Sequence, residues 1–328
     1  MKKWLSIFPL LMLVINCHQN TNQSSIHYPE YLGAPPGTYI IKENRNTVSF
    51  PFEFYGMNLM VQARMNDIPI HMLIDNGVLW DELLFYGSPQ VDSLGMQKNG
   101  EVLVVGAGED EGVQSNTASN VSIAFGDVSF SGQNAVITPK EQGFADYFPG
   151  VAGQVCGAFF KHFMVDFNFD TQMLTLHQPD HFSYHGKGNF VPMIRDSSGS
   201  YSIPVQLKVN NKPAFDYRLF IDLGGIYPVS MVVGDRIEIE KPAGEKTLLG
   251  YGASGAIHGY HGILESLKIG GYELKDVASV MVESAEGGDH TNTTVGLPIL
   301  MRFNLVFDYF NERLYLEPNS HFNDPYDE

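Results

Sequence analysis

The segment HMLIDNGVLW, residues 71–80, places one aspartate at the end of an apolar run and directly before Asn-Gly. Carboxylates are seldom buried in proteins unless they are paired or hydrogen-bonded. A strand that ends in a tight turn explains this pattern, because Asp, Asn and Gly all favour turns. Asp75 gains a second interpretation only if a partner for it exists elsewhere in the chain.

The same pattern occurs a second time, and it ends on a second aspartate. VQARMNDIPIHMLIDNG (61–77) has the order strand, turn, strand, Asp75, and VQLKVNNKPAFDYRLFIDLG (205–224) repeats this order up to Asp222. Three further pairs follow in the same order: VVGAG (104–108) with LLGYG (248–252), VSIAFGDVSF (121–130) with LESLKIGGYEL (264–274), and VCGAFF (155–160) with VGLPIL (295–300). A long internal repeat of this kind indicates two copies of one structural unit.

Composition favours strands over helices and excludes one class of partner. The chain has 328 residues, which is enough for two modest domains, and its short apolar runs are broken by Gly, Asn or Pro. We predict an all-β protein of two similar lobes, 45–180 and 186–319, related by a pseudo-twofold axis with a cleft between them. The net charge of −17 argues against nucleic-acid binding. We expect a monomer that carries both lobes in one chain.

The N-terminus has the pattern of a secretory signal. Lys2 and Lys3 precede a short apolar run that ends before Cys17, and a polar stretch follows. The sequence VINC resembles a bacterial lipobox, although Asn16 stands where such signals usually carry Gly, Ala or Ser. We predict a signal peptide over residues 1–16, a lipid on Cys17 and a tether with lead-in over 17–44, with a plain cleaved signal as the alternative. The protein would then be anchored to a bacterial envelope membrane, on the periplasmic side of the outer membrane.

Two equivalent carboxylates suggest a specific chemistry. A pseudo-twofold axis would bring Asp75 and Asp222 face to face across the cleft, where neighbouring carboxylates share one proton. The ionised carboxylate can activate water while the protonated one polarises a carbonyl group. Such a site can hydrolyse a peptide bond without metal or cofactor, and we expect neither.

The Ile-Asp-x-Gly loop, the Gly-rich hairpin and the apolar-apolar-Gly strand each occur twice, and together they resemble the aspartic protease superfamily, the pepsin and retropepsin clan. The closest likeness is to the bilobal, retropepsin-like aspartyl proteases of bacterial lipoproteins, and it covers about residues 50–318. The resemblance implies that Asp75 and Asp222 are catalytic and that the substrate is an extended peptide or an unfolded protein. It also implies two hairpin flaps over that substrate, with candidate residues Gly106, Gly108, Gly250, Tyr251 and Gly252.

The two loops also depart from the pattern of that superfamily, which has Thr or Ser after each aspartate and uses its hydroxyl to bind the opposite lobe. This chain has Asn76 and Leu223 there, each followed by a glycine, Gly77 or Gly224. Asn can still donate and accept hydrogen bonds, whereas a Leu side chain can do neither. Each lost hydrogen bond would cost about 1 kcal/mol and loosen the loops. Two functions therefore stay open: peptide hydrolysis, or binding of peptides or a protein partner by a catalytically inactive relative.

Overall fold

The computed structural model describes residues 37–77, 83–196, 200–283 and 293–326, apart from the side chain of Gln142. The predicted signal peptide, Cys17 and the tether as far as residue 36 lie outside the described residues. Across the described ranges, no helix combines the length and the apolar character that crossing a bilayer requires.

Strands dominate both halves of the chain. The first half contains β1 (Thr38–Ile41), β2 (Thr47–Pro51), β3 (Glu53–Tyr55), β4 (Asn58–Met65), β5 (Ile68–Ile74), β6 (Leu83–Phe85), β7 (Lys98–Val104), β8 (Val113–Phe125), β9 (Val128–Ile137), β10 (Val151–Val155), β11 (Met164–Asn168) and β12 (Met173–His177). The second half contains β13 (Asn189–Pro192), β14 (Ile194–Arg195), β15 (Tyr201–Lys208), β16 (Phe215–Asp222), β17 (Val229–Val233), β18 (Thr247–Gly252), β19 (Gly255–Ile269), β20 (Tyr272–Glu283), β21 (Thr294–Gly296), β22 (Phe303–Asp308) and β23 (Arg313–Pro318).

Helices are short and lie between the strands. They are α1 (Pro89–Ser93), α2 (Phe144–Tyr147), α3 (Gly157–Phe160) and α4 (Leu297–Leu300), with 3-10 turns at Lys42–Asn44, Lys140–Gln142 and Pro179–His181. The prediction of an all-β protein with few helices is confirmed.

Local sequence explains the hairpin that leads to each aspartate. In β4 buried and more exposed residues alternate, as expected for a strand with one face in a core. The turn between β4 and β5 has positive φ at Asn66 and Asp67, and the loop between β15 and β16 has positive φ at Asn210 and Asn211. Asn and Asp tolerate this left-handed conformation better than most residues. Both copies of the repeat therefore reverse direction with the same turn chemistry.

The two halves form sheets with the same strand order. In the first half, β9, β6, β10, β5, β4 and β8 are neighbours in that order, and β8 pairs with β9 again to close the ring. In the second half, β20, β17, β21, β16, β15 and β19 follow the same order, and β19 closes on β20. Closure leaves no free edge within each ring. The internal repeat read from the sequence is thus a repeat of one closed sheet.

A third sheet joins the halves. Its order is β2, β12, β11, β22, β23, β13, so strands of the first half occupy one side and their counterparts from the second half the other. At the centre β11 and β22 run antiparallel, with Phe167 opposite Leu305. Phe160 of the first half packs edge-on against Phe307 and Tyr309 of the second, with ring centroids 5.4 Å apart in both pairs. This arrangement confirms two similar lobes, while the boundaries at 45–180 and 186–319 stay predictions.

Candidate active site

The two aspartates follow equivalent strands in the two lobes. Asp75 comes directly after β5, and Asp222 is the last residue of β16. Both strands lie parallel to a short strand that leads into a helix: Val155 of β10 lies opposite Ile74, and Val295 of β21 lies opposite Ile221. The same arrangement of paired strands therefore positions both carboxylates.

The structure brings the two carboxylates together at the junction of the lobes. A Cβ atom placed on Gly77 would lie 3.0 Å from Oδ1 of Asp75 and 3.2 Å from Oδ1 of Asp222. The two oxygens are thus separated by no more than the sum of these distances. A Cβ atom placed on Gly224 would lie 2.7 Å from Oδ2 of Asp75. Each glycine approaches the aspartate of the opposite lobe, and a side chain on Gly224 would collide with Asp75.

Main-chain and side-chain donors orient the carboxylates. The N–H of Gly77 donates to Oδ1 of Asp75 at 2.8 Å, and the N–H of Gly224 donates to Oδ1 of Asp222 at 2.9 Å. Nε2 of Gln154 donates to Oδ2 of Asp75 at 3.1 Å. Sequence reasoning missed Gln154, although a single amide in the otherwise apolar strand VAGQV was a signal that could have revealed it.

Burial and proximity change the acidity of both groups. Burial raises the pKa of Asp75, and the hydrogen bonds from Gly77 and Gln154 partly oppose this effect. Burial and the negative charge of Asp75 raise the pKa of Asp222 to about 7. Since two adjacent carboxylates cannot both ionise easily, one proton is shared between them over a wide pH range.

This acidity predicts how stability depends on pH. A carboxyl whose pKa is raised in the folded state stabilises the fold while it is protonated, and this contribution is lost as pH rises from its ordinary value towards about 7. The side chain in Asp222→Asn cannot ionise. As pH rises from 4.5 to 8, the free energy of unfolding of the variant should therefore increase by roughly 2 kcal/mol relative to that of the wild type. Urea unfolding at both pH values measures the difference. Asp276→Asn, at an exposed position of the same lobe, is the control. An equal advantage of Asp222→Asn at both pH values would contradict the shared proton.

Asn76 links the two lobes through its side chain. Its Nδ2 donates to the carbonyl oxygen of Ile221 at 3.1 Å, and its Oδ1 accepts from the N–H of Leu223 at 2.7 Å. Nδ2 also donates to the hydroxyl of Tyr309 at 3.0 Å. Because Ile221 and Leu223 flank Asp222, one buried amide of the first lobe holds the peptide groups on both sides of the opposite aspartate.

The two loops therefore differ from each other. The sequence left Asn76 able to donate and accept hydrogen bonds, and its amide makes the cross-lobe contacts. At Leu223 the side chain is fully buried in the core and only its main-chain N–H takes part in the link. Tyr309, which extends the Asn76 network, was not a candidate from sequence because nothing local distinguishes it from a core aromatic residue.

The tips of the two candidate flaps contact each other. The first hairpin is β7–β8 and the second is β18–β19. Ser254 of the second tip donates its N–H to the carbonyl oxygen of Ala107 at 3.0 Å, and its carbonyl oxygen accepts the N–H of Asp110 at 2.7 Å. Its hydroxyl accepts the N–H of Gly106 at 3.2 Å. Gly108 has a φ of 137°, and a Cβ atom there would lie 2.0 Å from the carbonyl oxygen of Ser254, so this close contact requires glycine.

The predicted flap residues occupy different parts of the two hairpins. Gly106 and Gly108 lie in the first tip, whereas Gly250, Tyr251 and Gly252 lie in β18 beside the second tip. The ring of Tyr251 stacks on Tyr147 of α2 in the opposite lobe, with centroids 5.2 Å apart. This contact and the paired tips tie the second flap to the first lobe.

Each flap contacts residues that lie close in sequence to one of the two aspartates. In the first lobe, Val104, the last residue of β7 before the flap tip, belongs to a buried cluster that includes Leu73 and Tyr86. Leu73 lies two residues before Asp75, and burial together with the charge of Asp75 raises the pKa of Tyr86 well above its usual value. In the second lobe, the hydroxyl of Tyr227 donates to the carbonyl oxygen of Leu249 at 2.6 Å, which connects the loop after Asp222 to the second flap.

Metal-ligating side chains are not grouped in the described part of the chain. No set of three or more His, Cys, Asp or Glu residues there is arranged to bind a metal ion. The expectation that the site uses neither metal nor cofactor stays a prediction.

Comparison with known proteins agrees with this architecture. No family model and no curated protein sequence matches the chain. Among solved structures, the aspartic proteinase from Irpex lacteus is similar over 85% of this chain and 99% of its own, with a TM-score of 0.54 and 14% sequence identity. The chain therefore has an aspartic-proteinase fold, with two β lobes. At this identity the likeness describes the fold alone.

Proposed function

We propose that this protein hydrolyses peptide bonds, with Asp75 and Asp222 acting together on a water molecule. The observation that carries the proposal is the pair of hydrogen-bonded carboxylates at the junction of two lobes with an aspartic-proteinase fold. Both aspartates keep partial exposure to solvent, so water can reach them.

The chemistry follows from the shared proton. The ionised Asp75 accepts a proton from water as the water oxygen attacks the peptide carbonyl carbon, and Asp222 donates its proton to the carbonyl oxygen. The tetrahedral diol then collapses: Asp222 recovers a proton from one hydroxyl, Asp75 gives its proton to the amide nitrogen, and the C–N bond breaks. Both carboxyls return to their starting states, and the products are an acid and an amine.

The surroundings favour an extended peptide with apolar side chains. Apolar side chains are exposed on both flaps, Val105 on the first and Tyr251 on the second. Because the flap tips are hydrogen-bonded to each other, they have to separate before a peptide can reach the dyad.

A second candidate function is peptide or partner binding without catalysis. Leu223 favours it, because its side chain offers no hydroxyl to the opposite lobe and the cross-lobe link is one-sided. A binding protein of this kind would retain the cleft and the flaps but would cleave nothing.

A peptide library separates the two functions. The purified full chain is incubated with the library over pH 3–8, beside the Asp75→Asn, Asp222→Asn double variant. New peptide termini that appear only with the wild type support hydrolysis, whereas binding without cleavage in both supports the alternative. Equal cleavage by both proteins would assign the activity to a contaminant or to another site.

We also propose that Cys17 carries a lipid that anchors the protein to an envelope membrane. The support is the basic start, the short apolar run and the VINC sequence. Mass spectrometry of the mature N-terminus is expected to find a diacylated Cys17, and a Cys17→Ser variant should lose the lipid and leave the membrane fraction. An unmodified mature N-terminus at another residue would contradict the anchor.

A further inference from the structure

Gln154 is a polar residue in a strand whose other members are buried. It lies in β10, between the fully buried Gly153 and Val155, and is itself half-buried. Its Nε2 donates to Oδ2 of Asp75, while the N–H of Gly77 donates to Oδ1. Both oxygens of Asp75 therefore accept a hydrogen bond.

The second lobe has a different residue at the equivalent position. Gln154 lies opposite Leu73, two residues before Asp75, and Thr294 lies opposite Phe220, two residues before Asp222. Threonine is shorter than glutamine, and the donors that lower the pKa of Asp222 are the main-chain N–H groups of Gly224 and Gly225. The repeat is symmetric in backbone but not in the side chain that supports each carboxylate.

We infer that Gln154 is a positioning residue that makes the dyad asymmetric: its amide N–H holds Asp75 as the carboxylate that activates water and leaves the shared proton on Asp222. Its consequence for catalysis rests on the proposed hydrolysis. The position of the proton is a property of the protein without substrate, so it can be measured independently. A donor to a carboxylate stabilises the charged form more than the protonated one.

Other ionisable groups surround Asp75 and do not supply this donor. Asp222 faces it from the second lobe, and burial and the charge of Asp75 raise the pKa of Asp222. Tyr86 follows β6, and burial and the charges of Asp75 and Cys156 raise its pKa. Tyr309 is held on Asn76. Gln154 therefore supplies the side-chain donor by which the surroundings of the two carboxylates differ.

The test follows the two carboxyl groups directly. Carboxyl-13C aspartate is incorporated into the full chain, the signals of the dyad are assigned with Asp75→Asn and Asp222→Asn, and both are titrated by NMR. In the wild type the carbon of Asp75 should titrate first. In Gln154→Met, which keeps the length but removes the donor, the lower apparent pKa of the pair should rise by about one unit. Gln154→Glu, which adds a third acid at the same place, should raise it further.

Thr294→Val is the matched control, since it removes a polar group at the same register position in the other lobe and should leave the titration unchanged. Superimposable titrations of wild type and Gln154→Met, or an equal shift with Thr294→Val, would overturn the inference. The acidic limb of kcat/KM should move in parallel with the lower apparent pKa if the protein cleaves peptides. If nothing is cleaved, the hydrolysis proposal fails while the NMR titration still decides the role of Gln154.

Discussion

Asp222→Asn should lower kcat for peptide cleavage by at least about 10³-fold at every pH, because it removes the proton that polarises the substrate carbonyl. Asn is nearly isosteric with Asp, and its side-chain oxygen can still accept the N–H of Gly224. The loop should therefore keep its shape, so the loss would report chemistry and not misfolding. Steady-state kinetics on the best library peptide, with circular dichroism of each variant, measures both properties.

Asp75→Asn should cause a loss of similar size, since water then lacks its base. The double variant should be no worse than either single variant, because the two carboxylates act as one unit. Asp276→Asn is again the control for an exposed aspartate. If Asp222→Asn retained more than a tenth of wild-type kcat, the dyad would not be the catalytic centre.

Asn76→Ala is expected to destabilise the protein by about 3 kcal/mol and to lower kcat about 100-fold. The substitution leaves the carbonyl oxygen of Ile221 and the N–H of Leu223 without their partner in a buried site. Unpaired buried groups cost more than the hydrogen bond itself contributes. Since these peptide groups flank Asp222, the position of its carboxylate should become less defined. Urea unfolding and steady-state kinetics measure the two effects separately.

Substitutions at two residues that contact Asn76 separate the contributions to this effect. Tyr309→Phe removes only the third hydrogen bond of the Asn76 amide and should cost about 1 kcal/mol with little effect on kcat. Leu223→Thr supplies a hydroxyl but leaves a cavity in the core, at a cost of about 1–3 kcal/mol. Because Asn76 already binds both peptide groups, Leu223→Thr should not raise activity. An Asn76→Ala variant as stable and active as the wild type would show that the cross-lobe link does not support the dyad.

The sequence by itself determined the repeat and everything that depends on neighbouring residues. Alternating burial in β4, positive φ at Asn66 and Asp67, and an aspartate placed directly after an apolar strand are local properties, so a short window of sequence carries them. Because the pattern is present twice, the sequence also predicted two similar lobes and the pairing of Asp75 with Asp222.

Only the tertiary structure decided which side chains hold that pair in place. Asn76 binds groups that lie 145 and 147 residues further along the chain, and Tyr309 lies 233 residues away. The contact of Ser254 with the first flap joins residues 148 apart, and Gln154 reaches an aspartate 79 residues before it. A side chain in such a contact follows no periodic pattern, because its position depends on how whole sheets pack. The asymmetry between the two aspartates therefore depends on single side chains, Asn76 between the lobes and Gln154 within the first lobe, and the repeated strand pattern does not place them.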